Sequence, residues 1–71
     1  MSLTWQDDRW HCDGRGIHAG EMMELQGYDG KWSLVRVESS DRGRRLIAIV
    51  DVRGRQFACG IEPECDQLRW P

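Results

Sequence analysis

The sequence predicts an all-β chain, and three observations carry that prediction. Turn dipeptides recur every 11 to 13 residues at Asp29-Gly30, Arg42-Gly43 and Arg53-Gly54. Apolar and polar residues alternate between them, with β-branched residues in the majority at the centre. No window is long and periodic enough for a helix; the best, from His18 to Leu25, is short and flanked by glycine. The expected architecture is a small SH3-like barrel: a four-strand meander, a one-turn 3₁₀ helix and a short closing strand.

The meander begins with Glu21-Met22-Met23-Glu24-Leu25-Gln26 and turns at Asp29-Gly30, because Asp-Gly supplies the positive φ that a tight hairpin needs. In the second strand Val35 and Val37 share one face, and Trp32, Leu34 and Arg36 share the other. The third strand places Leu46, Ala48, Val50 and Val52 opposite Arg45, Ile47, Ile49 and Asp51. In the fourth, Phe57, Cys59 and Ile61 alternate with Gln56, Ala58 and Gly60. Pro63 starts the single helical turn, and Gln67-Leu68-Arg69-Trp70 returns as the closing strand. Closure would hide strand edges that so short a sheet cannot otherwise protect. Residues 1–12 are expected as an edge strand or a loosely packed arm.

At 71 residues and 8.3 kDa the chain forms one domain. It buries only about 60% of its unfolded surface, which excludes a deep cofactor cleft. No run approaches the roughly 18 apolar residues of a membrane span. The N-terminus carries no basic and apolar leader pattern, and three cysteines cannot all pair. These features predict a cytoplasmic protein with free thiols and no membrane partner.

Residues 16–38 resemble a family of short, uncharacterised bacterial proteins. The match runs through Gly16-Ile17-His18-Ala19-Gly20-Glu21-Met22-Met23-Glu24-Leu25, then Asp29-Gly30-Lys31-Trp32 and Val35-Arg36-Val37-Glu38. After this the pattern departs, with Leu46-Ile47-Ala48-Ile49 where a Trp-Tyr-Leu type strand belongs. The resemblance implies an all-β fold and a bacterial or mobile-element origin, and it brings no activity with it.

Chemistry-bearing groups are sparse. Cys12, His18, Cys59 and Cys65, with His11 as a spare, supply four zinc-type donors, but each pair is separated by five residues where structural knuckles use two to four. No Cys-His set has an orienting third group, the carboxylate pairs read as solvated turn positions, and the glycines complete no phosphate-binding fingerprint. The sequence therefore predicts no enzyme, no cofactor and no catalytic residue.

Charge is more informative. Residues 1–30 carry net −4, residues 31–55 net +4 and residues 56–71 net −2. Arg36, Arg42, Arg44, Arg45, Arg53 and Arg55 make the basic block, most of it in two hairpin turns flanking the third strand. With Trp5 and Trp70 expected to be partly exposed or to clamp the barrel ends, and Trp10 and Trp32 in the core, this predicts a binding stripe. Arg and Trp are the enriched anchors of interfaces. An acidic pI of about 5.6 favours a protein partner over nucleic acid. Alternatives are internal pairing of the stripe with the acidic segments, a phage or mobile-element inhibitor of a host defence complex (anti-CRISPR-like), and a zinc-stabilised mini-domain.

Overall fold

A computed structural model describes residues 3–71 and shows eight strands in two antiparallel sheets. The first sheet contains β1 (Leu3–Gln6), β2 (Arg9–Cys12) and β3 (Arg15–Gly16) in that order. The second contains β4 (Glu21–Gln26), β5 (Trp32–Ser40), β6 (Arg45–Val52), β7 (Arg55–Ile61) and β8 (Leu68–Arg69), ordered β7-β6-β5-β4-β8.

Local chemistry sets these hairpins. Asp7-Asp8, Asp13-Gly14 and Arg53-Gly54 each form a two-residue turn with both φ positive. The pairs Gln6↔Arg9, Cys12↔Arg15 and Val52↔Arg55 close them. Such primed turns match the right-handed twist of the strands they join. Between β4 and β5 only Gly30 is left-handed, at φ 82°, and the Gly27 N–H donates to the Lys31 carbonyl at 2.8 Å. The predicted Asp-Gly reversal is thus present as a longer loop.

The four-strand meander is present, and β8 returns to pair with β4 through Glu24↔Arg69 and Leu25↔Leu68. The expected SH3-like closure is not made. β7 and β8 are the two edges of the second sheet and do not pair. The one-turn 3₁₀ helix is a hydrogen-bonded turn instead. Cys65 and Asp66 N–H groups both donate to the Glu62 carbonyl, and the Asp66 carboxylate accepts from the Glu62 N–H at 2.8 Å. The mixed bonding to one carbonyl tightens the chain without starting a helix.

The N-terminal region is also corrected. It is neither a lone edge strand nor a loose arm from Leu3 onward, but a three-stranded sheet that covers the core; Met1 and Ser2 lie outside the described residues. Cys12 and Ile17 join Met23, Val35, Val37, Leu46, Ala48, Ile61 and Leu68 in one apolar cluster. Leu3, Trp10, Leu25, Val50 and Trp70 pack around it. Cover stops short of the β7 end. Phe57 is 52% exposed, Cys59 is exposed and only Ile61 of β7 is buried, so the predicted alternation there meets solvent rather than core.

Candidate binding surface

The two sheets meet at a cluster built from Trp5, Trp10 and Arg44. Trp5 and Trp10 are direct cross-strand partners on β1 and β2. Theirs is the pair next to the closing one, where side chains approach most closely in antiparallel sheets. Their rings meet edge to face, with centroids 5.3 Å apart and planes at 70°. The turn between β5 and β6 holds Asp41, Arg42 and Gly43 successively left-handed, which turns the Arg44 carbonyl toward the N-terminal sheet. The Trp10 indole N–H donates to it at 2.8 Å. The Arg44 guanidinium folds back over the Trp5 ring, 5.1 Å from its centre, a geometry in which ring quadrupole and cation attract.

Beside this cluster lies a hollow of about 270 Å³, walled by Asp8, Arg9, His18, Ser39 and Arg42 with Leu46 at its base. Arg9 is held in place by donating to the Ile17 carbonyl at 3.1 Å. The sequence reading missed Arg9; only the sheet-to-sheet packing brings it beside Arg42.

The arginine block is split rather than gathered. Arg42, Arg44 and Arg45 lie at the start of β6, and Arg53 and Arg55 at its far end. Eight extended residues separate the groups, about 25 Å. Arg36 stands apart on the outer face of β5 and is bound to Glu38 of its own strand at 3.0 Å. That contact lies within the basic segment itself, so no described residue makes the pairing of the stripe with the acidic terminal segments. Arg42, Arg44, Arg45, Arg53 and Arg55 are exposed and form no ion pair with any described residue.

The tryptophans take different places. Trp70 and Trp5 are half-buried. The Trp70 indole donates to the Cys12 carbonyl at 2.9 Å beneath Arg15, whose guanidinium lies 4.1 Å from the ring centre. Trp70 therefore clamps the last strand onto the first sheet. Trp32 is not in the core. It lies on the outer face under Arg69, 3.9 Å away, and Arg69 also binds Glu24 at 2.7 Å. The face assignment of β5 was correct, but the outer face is where Trp32 points. Trp10 packs against the core as expected.

The zinc-type donors do not converge. The Cys12 thiol is buried and donates to the Leu68 carbonyl at 3.5 Å. His18 is exposed beside Glu21. Cys59 and Cys65 are exposed along a cleft of about 490 Å³ between β7 and the β4–β8 edge. Among the described residues no three His, Cys, Asp or Glu side chains form a group able to hold a metal ion.

The Glu21 carboxylate faces the His18 backbone and the Arg15 side chain. Its pKa lies below the usual value, chiefly because the backbone N–H of His18 donates to it at 2.9 Å. Burial opposes this, and the nearby Arg15 guanidinium, at 3.3 Å, adds a further lowering. This interaction fastens the β3–β4 connection. Glu62 and Glu64, by contrast, are exposed and make no ion pair with a described residue. No helix is long and apolar enough to cross a membrane. In comparisons with known proteins, no family model, no curated protein and no solved structure matches this chain.

Proposed function

We propose that this protein is a non-enzymatic binding module whose partner is another protein, recognised through the arginines of the β5–β6 turn. One observation carries the reading. Glu21, Glu24 and Glu38 are matched to Arg15, Arg69 and Arg36, whereas Arg42, Arg44 and Arg45 stay exposed and form no ion pair with any described residue. An arginine fork left free on a rigid turn is suited to bidentate bonds with a partner carboxylate. Trp5 and Trp10 hold that turn in place, so little conformational freedom is lost on binding. Arg9 extends the basic rim around the hollow, and Trp10 adds apolar area to its wall.

Acidic patches on a protein surface suit this arrangement better than a phosphate backbone. The net charge is −2, and Asp7, Asp8 and Asp41 lie among the arginines and would oppose a uniformly negative duplex. The test is chemical crosslinking in cells, with mass-spectrometric identification, comparing the wild type with the Arg42→Ala/Arg44→Ala/Arg45→Ala variant. The reading expects specific protein crosslinks at this turn that the folded variant loses. Unchanged crosslinks would overturn it. So would tight binding of a short DNA duplex that weakens steeply with salt, which would favour nucleic acid instead.

A further inference from the structure

Strand β7 is the long edge of the second sheet; no described strand pairs with its open side, and only its Cys59–Gly60 end borders the cleft facing Cys65, Asp66 and Gln67. The Val52↔Arg55 pair closes a two-residue turn, and such a closing pair exchanges both of its backbone bonds. The ladder then alternates, so Arg55, Phe57, Cys59 and Ile61 bond to β6. The N–H and C=O groups of Gln56, Ala58 and Gly60 point away, to the free side. All seven residues pair with β6 without a bulge, and none has positive φ. There is no proline, and Arg55 is the sole charge. Natural edge strands are ordinarily short, charged or kinked, because an open row of donors and acceptors is a template for another strand. The opposite edge obeys that rule: β8 has two residues, and Pro71 follows soon after.

The charges flanking β7 say which strand fits. Arg53 and Arg55 stand at its start, and Glu62 and Glu64 follow its end, all exposed and without an ion-pair partner among the described residues. We propose that β7 pairs antiparallel with β7 of a second copy of this chain, about a two-fold axis at Ala58. In that register Ala58 meets itself and Gln56 meets Gly60, so the three outward-facing residues of each copy exchange all their backbone bonds. Phe57 of each copy lies beside Cys59 of the other, covering apolar surface the first sheet leaves bare. The basic turn of each copy lies alongside the acidic turn of the other, at both ends. A parallel arrangement would put like charges together. The two sheets become one sheet of ten strands, an isologous contact. This inference is separate from the partner surface at Arg42, Arg44 and Arg45, which it leaves free.

Sedimentation equilibrium tests it. The wild type is expected to move from 8.3 kDa toward twice that mass as concentration rises, and less readily at high salt. Ala58→Pro removes an outward-facing N–H and no bond to β6, so dimerisation should weaken at least tenfold while the circular-dichroism spectrum is kept. Arg53→Glu/Arg55→Glu and Glu62→Lys/Glu64→Lys should each be monomeric alone and dimerise when mixed, because mixing restores opposite charges at both ends. If Ala58→Pro fails to fold, the charge-reversal pair still decides. A wild type monomeric at millimolar concentration would overturn the proposal. So would a dimer that survives all three variants, or charge-reversed variants that stay apart when mixed.

Discussion

The indole N–H of Trp10 and the backbone carbonyl of Arg44, 34 residues apart in the chain, are joined at 2.8 Å. With the Trp70–Cys12 bond this ties the N-terminal sheet to the meander at two points. Both bonds come from rings that also pack on the core, so each tryptophan combines burial with a directional tie.

Replacing Trp10 by Phe keeps an aromatic ring but removes that donor. A lost hydrogen bond of this kind costs about 1 kcal/mol. In a domain of this size that lowers the melting temperature by roughly 4–8 °C. Trp70→Phe should behave alike, and the two effects should add, since they act at separate places. Thermal melts of the single and double variants check this.

The β5–β6 arginines should matter for binding and little for stability. Arg42 and Arg45 make no ion pair with a described residue, and Arg44 gives up one exposed ring contact, worth about 0.5–1 kcal/mol. The triple alanine variant is therefore expected to melt within about 8 °C of the wild type. Its affinity for the partner should fall tenfold or more, about 1.4 kcal/mol. Calorimetry of folding and binding together separates the two effects.

Glu21 should make stability depend on acidity. Because its folded-state pKa is lowered, the folded protein holds the proton less tightly than the unfolded chain. The stabilisation is complete above the unfolded glutamate value and is lost as pH falls through the lowered one. Glu21→Gln removes this response. The stability gap between wild type and variant should thus be widest at neutral pH and shrink on acidification. Urea unfolding over a pH series measures it.

The first hairpin turn is strained in a way a single change can relieve. Asp7 and Asp8 both adopt positive φ, at 51° and 60°, a region that favours glycine. Asp8→Gly makes the favoured Asp-Gly turn and removes one of two adjacent like charges. A gain of about 0.5 kcal/mol is expected, less than the strain relieved, because glycine also frees the unfolded chain. A rise of a few degrees in melting temperature would bear this out.

What the sequence determined was everything local. Strand faces followed from period-two alternation, so Val35 with Val37 and Leu46 with Ala48 were each placed on one shared face, which the fold buries. The turns followed from residues that tolerate positive φ, and the return of Leu68 and Arg69 to β4 completed the meander. Tertiary structure decided what depends on distance between elements. Alternation tells which side a residue faces but not whether that side is covered, so Phe57 and Cys59 share a face with buried Ile61 yet lie in solvent. It could not show that residues 3–16 form a second sheet, because Asp7-Asp8 carries no glycine to signal the turn. Nor could it tell that β7 and β8 stay apart, leaving the sheet open and one long edge unpaired. Strand closure and cover are long-range geometry, set by how twisted sheets meet, and no window of neighbouring residues encodes them.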